Sequence, residues 1–431
     1  MRLAAAATLS LLVAILQSEQ SPKSARDQLA ELRTKAADAA TAGDQQGRLA
    51  ADFELQRLLN GSPIVVEALA RAYAAAGDSQ KAIAALNQFA DLGQADDNLL
   101  DNSDKRFAAL TSLPGYKQVL ERFRSNETPQ SLGARAITLP DAGLLAEDID
   151  YDLSSRSFLI TSVLEHKIIR VALNGSESTG RVSVSDFAAS PDGWPMLAIK
   201  IDAARHRVWA TEVALDGFSA APKEAWGRSA ILCYDLNTAK LLRRIDGPPH
   251  TALGDVVLTD DGDPIVSDGV GGGVYRVSNN EIHPIDTTDF ISPQTSALLP
   301  GGDSIVVPDY VRGLAVVNLR SNHVSWLNGD KTALIGVDGV YFHHQALILT
   351  QNGTTPQRVI VVELDSSLRR ITGSKVIEQA STDFGDPTHG VVVGDDFYYI
   401  ANSGWNQLDD HGEVKSGARL TPAYIMRYSL K

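Results

Sequence analysis

The 431-residue chain offers little that could cross-link it, because its single cysteine, Cys233, lies inside the apolar run AILCYDL. One cysteine excludes an internal disulfide, so stability has to come from packing. A lone thiol in such a run reads as a small buried hydrophobe and not as a nucleophile. Positive charge is also scarce. With 39 Lys and Arg against 53 Asp and Glu, the formal charge is -14, which argues against a nucleic-acid partner, since phosphate binding needs a concentrated positive surface. Long apolar runs are missing after the first residues. Arg2 followed by the apolar stretch Leu3 to Leu16 has the shape of a secretory leader over residues 1–20, cut near residues 17–21. About 14 apolar residues fall short of the roughly 20 a membrane span needs. The expectation is an exported protein, periplasmic or secreted, with no membrane span after cleavage. Common catalytic signatures are absent as well: the sequence has no Gly-X-Ser-X-Gly elbow, no phosphate loop and no His-Glu-X-X-His helix. GVGGG at 269–273 follows an aspartate and precedes a strand-like run, which makes it a turn.

What is present divides the chain in two. Residues 24–125 are poor in β-branched side chains and rich in Ala, Leu, Gln and Arg, which favour helix. Leu29, Leu32 and Ala36 recur at helical spacing, and Gly43-Asp44, Asn60-Gly61 and Gly77-Asp78 punctuate short antiparallel helices. In residues 67–93, Leu69, Ala70, Tyr73, Ala82 and Leu86 fall where a tetratricopeptide helix pair needs them, with small Ala70 and Ala82 allowing close approach. This predicts a short all-α, tetratricopeptide-like module suited to docking. Residues 126–136, polar with Pro and Gly, read as a linker.

From residue 137 to 431 the composition turns to short runs such as FLITSV, RVWATEV, SIVVPDYV and FYYIANS between Gly, Asp and Asn turns. Strand groups open at Glu147, Met196, Asp255, Gln294, Asp338 and His389, separated by 39 to 59 residues. Six units of about four strands predict an all-β six-bladed propeller. A β-sandwich with long insertions would use fewer strands.

In a propeller the inner strands start around one end of a central channel, so residues at those starts converge. Convergent oxygens are what a hard cation requires, Ca²⁺ taking about six to eight. The openings supply Glu147 and Asp148 in AEDID, Asp255 in LGDVVL, Gln294 in SPQTSALLPGG, Asp338 in IGVDGVYF, and Asp386 with His389 in DPTHGVVV. An Asp-Gly pair such as Asp338-Gly339 equally suits a turn. His389 beside a cation-bound water has the chemistry of a general base, or is a hydrogen-bonded structural histidine. His343 and His344, near a turn, read as surface.

The blade openings resemble those of the gluconolactonase, senescence-marker and luciferin-regenerating-enzyme family, six-bladed propellers that hold a divalent cation in the channel and open lactone or ester rings. The resemblance covers residues 137–431. Glu147 matches the family's first-blade glutamate ligand and Asp338-Gly339 its fifth-blade Asp-Gly ligand. At the third blade Asn-Asp-Gly becomes Gly254-Asp255-Val256, and at the fourth Asn-Gly becomes Gln294-Thr295. It implies Ca²⁺ or another divalent cation on Glu147, Asp255, Gln294 and Asp338, with His389 or Asp386 as base of a lactone or ester hydrolase. A second stretch, residues 201–249 with Arg205, Arg207, Trp209 and the Asp235 to Lys240 turn, is similar to the yellow and royal-jelly protein family, which implies a non-catalytic propeller binding a small ligand or a protein. These residues equally serve to pack a blade. The long connection Ala214 to Arg228, with Phe218 and Trp226, is placed to roof the channel.

Overall fold

A computed structural model describes residues 23–173, 182–218, 221–329 and 331–431; the expected leader lies outside them. Six antiparallel sheets form the larger part. Their inner strands are Ala146–Asp152, Met196–Asp202, Leu253–Leu258, Ala297–Leu298, Val337–His343 and Gly390–Val393, blades 1 to 6 in order. The chain is a six-bladed propeller preceded by helices.

Sheets stacked face to face bury both sides of their inner strands, which replaces polar alternation by continuous apolar runs. The second strand of blade 1, Ser157–Ser162, is buried at every position. Apolar clusters fill each of the six gaps between blades. One joins Ile149, Phe158 and Ile160 of blade 1 to Tyr398, Ile400 and Ile425 of blade 6, and others join blades 1 and 2, 2 and 3, 3 and 4, 4 and 5, and 5 and 6. Cys233 is wholly buried beside Trp209 and Ile231.

The ring is closed by strand Ala134–Thr138, which pairs with Tyr424–Ser429 and forms the outer edge of blade 6. Gln130–Ser131 adds a fifth strand to blade 5. The span read as linker from its Pro and Gly therefore contains two strands, and both lie at sheet edges, where such residues are tolerated.

The helices are α1 Ala25–Thr41, α2 Gln45–Leu58, α3 Pro63–Ala75, α4 Ser79–Asp91, α5 Asp97–Leu100 and α6 Pro114–Asn126. Ser24, Asp44 and Asp78 cap α1, α2 and α4 by accepting from backbone N–H groups of the first turn. Gly77, at φ +77°, takes the left-handed conformation that turns α3 into α4. Ala70 and Ala82 are fully buried between these helices, above Leu86, Phe107 and Phe123.

The module is seated on the propeller. Ile291 and Val311 join the core of α1 to α3, and Ala333 joins that of α4 and α6. Asn60 Nδ2 donates to the Leu327 carbonyl (3.0 Å), Arg312 Nε to that of Leu58 (2.8 Å), and Ala95 N to that of Thr355 (2.7 Å). These propeller residues lie in hairpins between second and third strands and in connections between blades. Inner strands start on that same face, so the helices flank the channel mouth on the side of blades 4 and 5.

Candidate functional site

The inner strands of blades 1, 2, 3 and 5 slip register at one equivalent place, between Ala146 and Ile149, Met196 and Ile199, Leu253 and Asp255, and Val337 and Gly339. A bulge there re-aims a side chain toward the channel. Hydroxyl groups mark the level between neighbouring blades. Thr161 Oγ1 donates to the Leu197 carbonyl (2.7 Å), Thr211 Oγ1 to Gly254 (3.2 Å), Ser267 Oγ to Gln294 (3.0 Å) and Thr388 Oγ1 to Glu147 (2.7 Å). Glu147, Leu197, Gly254 and Gln294 thus share one level, and the bulge residue Asp338 joins it. Asp148, Asp255 and Thr295 stand one residue further in.

At the outer level, Glu147 Oε2 accepts from Trp405 Nε1 (2.5 Å). Asp338 Oδ2 accepts from Asn352 Nδ2 (3.0 Å), and Asn352 Oδ1 accepts from the Tyr310 hydroxyl (2.9 Å). Glu147, Asp338 and His389 each place a donor atom within 4.8 Å of the others. Burial first, and then the Asp338 charge, pushes the Glu147 carboxyl up to about 8. Burial pushes Asp338 up to about 6, against the pull of His389 and with help from Asp255 and Asp386.

The inner level is self-satisfied. Asp148 accepts from Ile199 N (2.8 Å) and Lys200 Nζ (2.9 Å). Asp255 Oδ1 accepts from Thr295 Oγ1 (2.5 Å) and lies 3.2 Å from His389 Nε2. His389 Nδ1 faces the Glu147 carbonyl at 3.0 Å. Both ring nitrogens therefore face acceptors, which the imidazolium serves by donating from both. Burial opposes that charge, but Asp148, Asp338 and Asp255 outweigh it and raise the group well above the usual histidine range. Deeper still, burial lifts Asp150 to about 6 although Lys200 opposes it. Toward the opposite face the channel opens into a cleft of about 240 Å³ lined by Asp150, Lys200, Tyr341 and Phe342.

Five carboxylates (Glu147, Asp148, Asp150, Asp255, Asp338) thus meet two cationic side chains (Lys200, His389) along one channel. Lys200 pairs with Asp148 and His389 faces Asp255, so Glu147 and Asp338 at the mouth lack a salt-bridge partner of their own among the described residues. Two carboxylates held this close without a cation between them favour either a shared proton or a bound cation. The carboxylate oxygens of Glu147 and Asp338 fit a hard divalent ion with water completing its shell, while His389, protonated on both nitrogens, stands beside them without ligating.

The other residues expected at the site are distributed around it. Gln294 is at the mouth level, but its amide nitrogen donates to Ser292 Oγ (3.0 Å) and to the Ser292 carbonyl (3.3 Å). Asp255 lies one step deeper than Glu147 and Asp338, outside their three-residue group. Asp386, at φ +65°, accepts from Gln357 Nε2 (3.2 Å), and burial raises its carboxyl. Arg205 pairs with Asp202, and Trp209 lies in the core between blades 2 and 3. Phe218, in the long blade 2 connection, packs against Trp405 with ring centroids 5.2 Å apart and planes tilted by 52°, so that connection does reach the mouth. Sequence reasoning missed Trp405, Asn352, Tyr310 and Lys200. The first three sit in loops or hairpins and not at strand starts, and only the aromatic in ANSGWNQ, in a Gly-turned loop, offered a signal.

No family model and no curated protein matches the chain. Solved structures similar to it include the PQQ-bound aldose sugar dehydrogenase of Streptomyces coelicolor (14% identity, 70% of this chain and 99% of that one, TM-score 0.46). A luciferin-regenerating enzyme (13%, 70% and 94%, 0.45) and the calcium-binding protein regucalcin of Agrobacterium tumefaciens (16%, 68% and 93%, 0.45) are others. At such identities the likeness is one of fold.

Proposed function

We propose that the channel mouth is a divalent-cation site held by Glu147 and Asp338, and that it binds a small polar ligand through that cation in an exported propeller. The observation that carries this reading is the pair of neighbouring carboxylates whose only protein donors, among the described residues, are Trp405 and Asn352. Ca²⁺ suits the oxygen-rich donor set, and Gln294 and Asp255 are close enough in level to tune it. A bound divalent ion would polarise a ligand carbonyl and lower the pKa of its water.

Lactone or ester hydrolysis is the second reading, favoured by Asp386. That carboxylate lies near Asp338 and holds its proton more tightly than usual, as a base poised toward neutrality needs. His389, with both ring nitrogens donating, has no lone pair to accept a proton and acts here as a fixed positive charge. The helical module already uses one face to seat itself on blades 4 and 5, and its remaining surface is the part open to a protein partner.

The test is a Ca²⁺ titration of the full chain, by calorimetry and by thermal stability, on wild type, Glu147→Gln and Asp338→Asn. Binding and a raised Tm are expected for wild type and at least about tenfold weaker binding for each variant. Absence of any cation effect would overturn the reading. A panel of lactones and aryl esters then separates ligand binding from hydrolysis: turnover by wild type that is lost in Asp386→Asn supports hydrolysis, and no turnover by wild type leaves the binding reading.

A further inference from the structure

The inner strand of blade 5 ends at His343, far from the mouth, and turns at His344. Consecutive residues of a strand point to opposite faces. His344 escapes that rule because its backbone adopts φ +52°, in the left-handed region, which swings its ring back toward its neighbour. The two imidazole centroids are 4.1 Å apart. Asp395, in the adjacent turn of blade 6, completes the group: its Oδ1 is 3.4 Å from His343 Nε2 and 3.8 Å from His344 Nε2.

These distances match a tetrahedral ion. With metal–ligand bonds of about 2.0 to 2.1 Å, the edges between donors are about 3.3 to 3.4 Å, so one edge is already in place and the second closes by a small rotation of the exposed His344. All three donor atoms lie within 4.8 Å of one another. Among the described residues, His343 Nε2 is buried with Asp395 Oδ1 at 3.4 Å but no hydrogen bond of good geometry, a costly arrangement unless something else occupies its lone pair. Two imidazoles and a carboxylate form a borderline-soft set, unlike the oxygen donors of the mouth. The group faces a cleft of about 400 Å³ between blades 5 and 6, flanked by Lys375, Tyr428 and Lys431. Lys431 Nζ approaches the other oxygen of Asp395 at 3.9 Å and leaves Oδ1 available.

We infer that His343, His344 and Asp395 form a second metal site, selective for Zn²⁺ or a similar transition-metal ion, on the face opposite the channel mouth. Three protein ligands leave a fourth position open to the cleft for water or a small anion.

The full chain is titrated with Zn²⁺ in the presence of excess Ca²⁺, and with Co²⁺ followed by its visible absorption. One tight equivalent and a tetrahedral Co²⁺ spectrum are expected. Loss of an outer-shell partner costs about 10- to 100-fold in metal affinity, so His344→Ala and Asp395→Asn should each weaken binding by at least that much, while Asp338→Asn leaves it unchanged. His344 is exposed, so its replacement spares the fold, and an unaltered thermal melt checks this. Zn²⁺ binding that survives both variants, or that disappears in Asp338→Asn, overturns the assignment, as does no binding by wild type. A Ca²⁺ response at the mouth is scored separately, so failure of one site leaves the other standing.

Discussion

At the scale of the residue, the mouth is governed by how Glu147 and Asp338 share protons. Their carboxyls rise from 4.5 and 3.8 to about 8 and about 6. Between the ordinary and raised values the folded chain holds more protons than the unfolded one. The contribution of these groups is therefore fully present below about pH 4 and is lost as pH climbs toward about 8. In EDTA, the Tm of wild type is expected to fall between about pH 5 and pH 8 more steeply than that of Glu147→Gln, which cannot ionise. Saturating Ca²⁺ should flatten the wild-type profile, because a cation stabilises the charged pair. Identical slopes for wild type and variant would refute the account. Trp405, hydrogen-bonded to Glu147 and packed against Phe218, offers an optical readout of the same event.

At the scale of the element, the seam between helices and propeller is sealed by Arg358. Arg358 is 3% exposed and its guanidinium meets no carboxylate among the described residues. It donates to Gln351 Oε1 (2.8 Å) and to the carbonyls of Ala333 (3.2 Å) and Leu92 (3.5 Å), just beyond the C-terminus of α4. A cation at that end of a helix also complements its dipole, while burial lowers Arg358 to about 10. In Arg358→Ala the Leu92 carbonyl keeps Ala333 N and the Ala333 carbonyl keeps Gln351 Nε2, but the buried Gln351 Oε1 loses its donor, and the change should cost about 2 kcal/mol in urea unfolding. Faster hydrogen exchange is expected at the end of α4, with little change in blades 1 and 2. A loss below about 0.5 kcal/mol would show the seam to be solvated.

Much of this scale was legible beforehand. Leu69, Ala70, Ala82 and Leu86 announced the α3/α4 pair, and blade-length spacing announced six sheets. Depth was not legible, because a one-residue bulge separates the level of Asp338 from that of Asp255 and leaves no mark in composition. Nor was the seating of the helices. Contacts such as Asn60 with Leu327 and Arg312 with Leu58 join residues more than two hundred positions apart, and no local pattern encodes them. Trp405 and Asn352 escaped because loops converge on the mouth by tertiary placement, not by strand period.

At the scale of the whole molecule, the ring depends on a strand from outside its own continuous run. A chain beginning at residue 128 keeps Ala134–Thr138 and should fold, with a lower Tm, since Ile291 and Ala333 lose their helical partners. A chain beginning at residue 139 leaves Tyr424–Ser429 as an open apolar edge and is expected to aggregate. Circular dichroism and size-exclusion profiles distinguish the two. Equal behaviour would mean that closure adds nothing.

The same strand also sets a schedule for making the protein. Synthesis delivers the helices and Ala134–Thr138 ahead of every blade, so the closing strand is made long before its partner Tyr424–Ser429. For most of translation that strand waits beside a finished helical module, tethered close to the place it will occupy. Ring closure is then a checkpoint: a chain cut before Tyr424 lacks the latch, and a protease meeting it finds an unsealed ring.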